Sequence, residues 1–205
     1  MLAEQGTEAW LLARCGFLGA SRIGDVMAKT KSGPSASRAN LMAQLVAERL
    51  TGKPQDSFSS DAMKLGTENE PFARAAYEEF ADVLVDQTGF CLHPDIPWTG
   101  ASPDGLVNTH GLVEIKCPNT ATHIDFLLKG IPKSQYVYQM LWQMECTGRD
   151  WCDFASFDPR MPEKLQLKVV RIERNLALDD IREEVRQFLA EVESMVVKLN
   201  LLKGV

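Results

Sequence analysis

The stretch SPDGLVNTHGLVEIKCP, residues 102–118, constrains the fold more than any other part of this 205-residue chain. A turn-like run from Asn108 to Gly111 separates two short apolar segments, which is the pattern of a β-hairpin. If Thr109 is the centre of the turn, Asp104 and Glu114 oppose one another. Opposed side chains share one face, with Cβ atoms about 4.5–5.5 Å apart. The pattern therefore predicts two adjacent carboxylates, although a register shifted by one residue would remove their opposition.

Lys116 lies two residues after Glu114 and therefore shares its face of the strand, whereas Val113 and Ile115 point to the opposite face. The strand is otherwise apolar, and charges buried in such a strand need a partner or a metal ion. Two nearby ionised carboxylates repel one another, and a divalent cation such as Mg²⁺ or Mn²⁺ would relieve the repulsion. For this short pattern taken alone, a solvated hairpin with unrelated charges is the simpler alternative.

The order of the remaining segments predicts the fold class. Helical apolar spacing dominates the first 81 residues, with Ser21 as a helix N-cap and a possible interruption near Gly66 or Pro71. Residues 29–38 are rich in Gly, Ser and Pro and are interpreted as a surface loop. Short β-rich runs follow, and then a helix, two strands and a long C-terminal helix. We expect one α/β domain over residues 1–205, with a central mixed sheet flanked by helices.

Charge and cysteine content limit the class of protein. The net charge of −6 argues weakly against a nucleic-acid-binding protein. Residues 61–100 alone carry eight acids against two bases, a net charge of −6, which leaves room for a local basic groove elsewhere. Five cysteines without a CxxC pair indicate a reduced, intracellular protein. No apolar run approaches the length of a membrane span and the N-terminus lacks a basic signal region, so we expect a cytoplasmic protein without a membrane partner.

A family resemblance extends beyond the hairpin. Pro103-Asp104-Gly105 and Glu114-Ile115-Lys116 match the Pro-Asp…(Asp/Glu)-x-Lys motif of restriction-endonuclease-like nucleases. More specifically, the chain resembles the phage lambda exonuclease family of YqaJ-type viral recombinases. Four further segments carry the likeness in matching order: RCGFLGASRIGDVMAK, LGTENEPFARAAYE, YVYQMLWQMECTG and FASFDPRM.

This resemblance implies a restriction-endonuclease-like core and a set of site residues. The implied metal ligands are Asp104, Glu114, the carbonyl of Ile115 and, at a second ion, Glu70. The implied catalytic and DNA-contacting residues are Lys116 as the catalytic lysine, Gln139 at the site, Arg14 and Ser21 on a phosphate, and Lys31 in a basic loop. The family often continues Tyr-x-x-Gln-x-Gln, but this chain has Leu141 at the second amide position, so that amide's role is open.

Several of these residues also have simpler interpretations. Glu70 follows Thr67 at the spacing of a capping box, which needs no metal. Arg14 could be a surface residue, Ser21 a helix cap only, and Gln139 a packing residue. The three histidines, His93, His110 and His123, lack metal-ligand spacing and are interpreted as surface or turn residues.

The function implied by the resemblance is a 5′-to-3′ exonuclease that digests one strand of linear double-stranded DNA. It would use Mg²⁺, with Mn²⁺ able to substitute, and two ions are expected. The expected partners are DNA ends, two further copies of the chain in a homotrimeric ring, and a single-strand annealing protein. A phage or prophage origin and a bacterial host cytoplasm are implied as well. The alternatives are a structure- or sequence-specific endonuclease of the same fold and a non-catalytic DNA-end-binding protein.

Overall fold

The computed structural model describes residues 5–31, 33–55 and 61–202. The α-helices in these ranges are α1 (Glu8–Ala13), α2 (Ile23–Met27), α3 (Ala36–Thr51), α4 (Asp61–Ala81), α5 (Thr120–Lys129), α6 (Ser134–Thr147), α7 (Glu163–Gln166) and α8 (Ala177–Leu202). The β-strands are β1 (Leu18–Gly19), β2 (Lys29–Thr30), β3 (Gly33–Pro34), β4 (Val85–Asp86), β5 (Cys91–Leu92), β6 (Thr99–Ala101), β7 (Gly105–Val107), β8 (Gly111–Lys116), β9 (Trp151–Phe157) and β10 (Leu167–Glu173). A 3₁₀ turn, Ala20–Arg22, precedes α2.

A five-stranded sheet with the order β10-β9-β8-β7-β4 forms the centre of the fold. Strands β8 and β9 are parallel, and the other neighbouring pairs are antiparallel. The crossover between the parallel strands contains α5 and α6, as parallel pairs require a long connection. The predicted mixed sheet with flanking helices is confirmed.

The hairpin register agrees with the prediction. Gly105 pairs with Val113, Leu106 with Leu112, and Val107 with Gly111. These pairs are centred on Thr109, and the next position beyond the ladder places Asp104 beside Glu114. Asn108 closes the turn with a φ of 48°, a left-handed conformation that asparagine tolerates better than most residues.

Both faces of the sheet are covered. On one face, Leu112 and Phe154 pack against apolar residues of α2, α3, α6 and α8. On the other, Val113 and Ile115 pack against Ala73 and Tyr77 of α4. Strand β8 is therefore buried on both sides, and its charged residues need partners within the protein. No helix in the described part of the chain combines the length and apolar character needed to cross a bilayer.

Three local predictions are wrong. Helix α4 runs through Gly66 and Pro71 without interruption, because its packing against the sheet outweighs the low helix propensity of these residues. Ser21 does not cap α2, since it lies within the 3₁₀ turn and Arg22 occupies the N-cap position. Residues 29–38 are not a plain loop: they contain the β2–β3 hairpin and the start of α3, with residue 32 outside the described ranges.

Two of the three histidines are also buried, contrary to prediction. His93 accepts backbone hydrogen bonds from Asp95 and Ile96, both at 3.0 Å. His123 is fully buried, with one ring nitrogen 2.8 Å from the hydroxyl of Ser156 and the other 2.8 Å from the carbonyl oxygen of Leu165. Both nitrogens of His123 and Nδ1 of His93 thus have partners within the fold, whereas Nε2 of His93 has no hydrogen bond among the described residues and lies 3.7 Å from Glu145. His110 is exposed in the turn, as predicted.

Arg149 holds the closed end of the hairpin. Its Nη1 donates to the carbonyl oxygens of Val107 (3.2 Å), Asn108 (2.8 Å) and Gly111 (2.6 Å). Arg149 directly follows Gly148, the left-handed residue that caps α6. The same connection thus ends the helix and fixes the turn, which opposes slippage of the register that pairs the two carboxylates.

Replacing Arg149 with methionine is expected to lower the free energy of unfolding by about 1–3 kcal/mol, because three carbonyls lose a charged donor. Urea denaturation measures the change. The Arg149→Lys variant keeps one charged donor and should recover part of the loss. If Arg149→Met unfolded at the same urea concentration as the original chain, the turn would not depend on this side chain.

Candidate active site

Glu114 is completely buried in β8, and its carboxylate is held from two directions. Gln139 donates to Oε1 and Gln143 to Oε2, each at 2.6 Å. Both glutamines are on α6, and their four-residue spacing places them on one helix face. Lys116 also donates to Oε1. The sequence positions a carboxylate in a buried strand, and α6 supplies the donors that make its burial tolerable.

Asp104 lies in the segment between β6 and β7, immediately before the hairpin ladder. Its Oδ2 accepts a hydrogen bond of 2.7 Å from the backbone N–H of Ile115. Although some of the residue remains accessible, burial of the carboxylate and repulsion by Glu114 raise the pKa of Asp104 to about 8; Lys116 and the Ile115 N–H act in the opposite direction. The two carboxylates therefore lie close enough to disfavour simultaneous ionisation.

Lys116 is the positive charge between these acids. Burial alone would lower its pKa, but Glu114 and Asp104 outweigh burial and raise the pKa above its ordinary value. Its ammonium nitrogen is 5.6 Å from the centre of the Tyr136 ring. A lysine in this setting is protonated at neutral pH and acts as a donor and a cation, not as a proton acceptor.

A cavity of about 330 Å³ opens at the end of β8 and joins the acids to α4 and α6. Its described lining residues include Glu70, Asp104, Ile115, Lys116 and Tyr136. Because α4 already begins at Asp61, Glu70 lies in the helix interior, and the capping-box interpretation is wrong. Arg74 donates to Glu70 at 3.0 Å, so this carboxylate borders the cavity with a cationic partner.

The donor set at Asp104 and Glu114 fits a hard divalent cation. Asp104 and Ile115 line the larger cavity, and Glu114 adjoins it through its pair with Lys116. Their oxygens are of the kind that Mg²⁺ prefers, and Mg²⁺ usually keeps several waters. Burial and repulsion by Glu114 both raise the pKa of Asp104, and a bound cation would favour its charged form against both. Across the described ranges, no three His, Cys, Asp or Glu side chains are grouped closely enough to hold a metal ion, so Glu70 does not complete a three-carboxylate cluster.

A second, smaller cavity of about 160 Å³ adjoins Gln139 and brings together Arg14 and Ser21. The guanidinium carbon of Arg14 is 3.9 Å from the centre of the Trp10 ring, and the indole N–H of Trp10 donates to Ser102 at 3.0 Å. Burial lowers the pKa of Arg14, although it stays a cation at any working pH. Arg14 is therefore an oriented donor in a cleft, which argues against a plain surface role.

Gln139 links the two cavities indirectly, since it lines the smaller one and donates to Glu114, whose partner Lys116 lines the larger one. Lys31 is not brought to either cavity: it is exposed in the turn between β2 and β3. The structure thus groups Asp104, Glu114, Lys116 and Ile115, places Glu70 on the opposite wall, and leaves Lys31 apart.

Sequence reasoning missed two residues at the site. Gln143 holds the second oxygen of Glu114, and Ser102 lines the smaller cavity. The signal for Gln143 was present, because it follows Gln139 by one helical turn in an apolar helix. Leu141, at the position of the family's second amide, packs in the core instead.

Comparison with known proteins identifies the family. Residues 9–150 match the sequence profile of a protein family, the YqaJ-like viral recombinase domain. The chain belongs to this family. An alkaline exonuclease from Laribacter hongkongensis is 49% identical to this YqaJ-like chain, with a TM-score of 0.90, and the match covers 97% of this chain and 98% of that one. A structure of the same enzyme in complex with dAMP matches equally well.

A more distant structure supports the fold alone. A phage-related exonuclease from Haemophilus somnus is 13% identical, with a TM-score of 0.74, and the match covers 89% of this chain and 96% of that one. No curated protein sequence matches the chain. The resemblance to lambda-exonuclease-type recombinases is confirmed.

Proposed function

We propose that this YqaJ-like chain is a metal-dependent exonuclease that digests one strand of linear double-stranded DNA from its 5′ end. The observation that carries the proposal is the junction between two cavities: Gln139 lines the smaller one and donates to Glu114, which is paired with Lys116 of the larger one. One cavity holds Asp104, Lys116 and the adjoining Glu114, and the other holds Arg14. The 49% identity to an alkaline exonuclease supports the same reaction class.

Each part of this junction has a chemical role in phosphodiester hydrolysis. Mg²⁺ bound by Asp104, Glu114 and the Ile115 carbonyl would polarise a phosphoryl oxygen and lower the pKa of an attacking water. Gln139 and Gln143 fix the orientation of Glu114, while the Lys116 ammonium stabilises negative charge that develops on the phosphate. Two ions, with Glu70 near the second and Mn²⁺ able to replace Mg²⁺, belong to the same proposal.

The 49% identity to an alkaline exonuclease favours an exonuclease over an endonuclease. In this proposal the oriented Arg14 in the smaller cavity would bind the terminal phosphate. End-labelled linear duplex with Mg²⁺ or EDTA, followed over time, tests activity, metal dependence and polarity together. Closed circular plasmid separates the alternatives, because an endonuclease would nick it and an exonuclease would leave it intact. No nucleotide release from either substrate would favour a non-catalytic end-binding protein.

The biological setting extends the proposal. We place the enzyme in phage-type recombination in a bacterial cytoplasm, acting as a homotrimeric ring beside a single-strand annealing protein. The family membership supports this setting. Analytical ultracentrifugation tests the trimer, and a sedimenting species of one or two chains at working concentration would contradict it.

Replacing Arg14 with glutamine is expected to slow digestion of 5′-phosphorylated duplex by about 10- to 100-fold, because the phosphate loses one hydrogen bond from a charged donor. Digestion of 5′-hydroxyl duplex should change less, so the ratio of the two rates falls. Arg22→Gln is the control, because Arg22 already pairs with Asp25 at 2.6 Å. An unchanged rate ratio in Arg14→Gln would remove Arg14 from phosphate recognition.

A further inference from the structure

The Asp-Pro-Arg segment at residues 158–160 follows β9 and has no role in the function proposed so far. Asp158 is fully buried and accepts hydrogen bonds from Arg160 Nε (2.6 Å) and Nη2 (3.0 Å). The backbone N–H of Arg160 also donates to Asp158 Oδ1 at 3.0 Å. The guanidinium is therefore held in one orientation by a bidentate carboxylate.

This guanidinium adjoins the larger cavity, which Asp104 and Lys116 line and which is the catalytic cavity of the proposed function. Arg160 Nη2 donates to the carbonyl oxygen of Pro118 at 3.1 Å, and Pro118 lines the cavity together with Asp104 and Lys116. The Arg160 side chain is 49% exposed. Its Nη1 bonds no acceptor in the part of the chain that the structure describes, so donors remain available to solvent.

The charge balance of the cavity explains why a cation at the rim matters. Among its described lining residues, Lys116 is the one cation, and it already donates to Glu114. Asp104, Glu70 and the adjoining Glu114 are acidic, which opposes the approach of a DNA backbone. A rim arginine with free donors offsets this repulsion at the point of entry.

We propose that Arg160, oriented by Asp158, binds a backbone phosphate of the DNA at the mouth of the catalytic cavity. The proposal rests on DNA being the substrate of this site. It assigns Asp158 the role of a positioning residue that acts through Arg160. The phosphate belongs either to the digested strand or to its complement, and the chemistry of recognition is the same for both.

A purely structural ion pair is the competing explanation. The backbone N–H of Arg160 already closes the 158–160 turn on Asp158, so the turn does not require the guanidinium. Arg171 offers a contrast, because it also binds an aspartate, Asp153, through two nitrogens and is 47% exposed. Its guanidinium packs 3.5 Å from the centre of the Trp151 ring, whereas Arg160 is directed to the cavity rim.

The test is the salt dependence of DNA binding. Binding of a 5′-phosphorylated linear duplex is measured in Ca²⁺ at several salt concentrations for the original chain, Arg160→Gln and Arg171→Gln. Loss of one phosphate contact should reduce the slope of log K against log salt by about 0.9 and weaken binding about five- to tenfold near 0.1 M salt. Arg171→Gln should keep the original slope.

Two further arms keep the result interpretable. If Arg160→Gln does not fold, the Asp158→Asn/Arg160→Gln variant replaces the ion pair with neutral amides and is judged by the same slope. Duplexes with neutral methylphosphonates near the end of one strand or the other identify the contacted strand. When the contacted phosphate is the neutral one, the original chain and Arg160→Gln should show the same slope. A folded variant with an unchanged slope would overturn the proposal. Failure of the original chain to bind duplex ends would instead contradict the proposed function.

Discussion

Replacing Lys116 with alanine is expected to lower the rate of digestion of linear duplex DNA by about 10²- to 10⁴-fold. The ammonium group lies among acids that keep it protonated, and it is the one cation among the described residues lining the catalytic cavity. Its removal takes away a donor for the developing phosphate charge. Release of labelled nucleotide under excess enzyme measures the loss.

Two controls separate catalysis from folding and binding. Lys129→Ala removes an exposed lysine, paired with Asp125 on α5, and should leave the rate unchanged. Lys116→Ala should still bind duplex ends in Ca²⁺, because the smaller cavity, which contains Arg14, is intact. Digestion by Lys116→Ala at the original rate would show that the chemistry takes place elsewhere.

The hairpin was predictable because its determinants are local. The turn residues centre the register on Thr109, and alternation along the strand assigns each side chain to a face. The adjacent acids follow from these two facts. The same reasoning could not show that both faces of β8 are buried, since the covering helices α4 and α6 are distant in sequence.

The smaller cavity shows where local reasoning ends. Arg14, Ser102 and Gln139 are far apart in the chain and meet only through tertiary packing. Family resemblance pointed to Arg14 and Gln139, but no local pattern indicated Ser102. The secondary structure of helix α4 also depends on tertiary packing, because burial of Tyr77 against the sheet outweighs the low helix propensity of Pro71.

Replacing Asp104 with asparagine is expected to abolish digestion and yet stabilise the metal-free protein. The asparagine oxygen can still accept from the Ile115 N–H, but the cost of burying a charge and the repulsion by Glu114 both disappear. Relief of even one pKa unit corresponds to about 1.4 kcal/mol, or roughly 3–5 °C in melting temperature. Thermal unfolding in EDTA measures the gain, and Asp150→Asn, at an exposed site, is the control.

The sign of the pH dependence follows from the pKa of Asp104. Its folded-state value of about 8 lies above the ordinary 3.8, so the folded chain binds the proton more tightly than the unfolded chain. The contribution of Asp104 to the stability of the original protein therefore falls as pH rises from about 4 to about 8. Asparagine cannot ionise, and the gain in melting temperature should be larger at about pH 9 than at about pH 6. Mg²⁺ at the higher pH should stabilise the original chain more than the variant. A lower melting temperature of Asp104→Asn at that pH in EDTA would contradict a raised pKa of Asp104 in the folded protein.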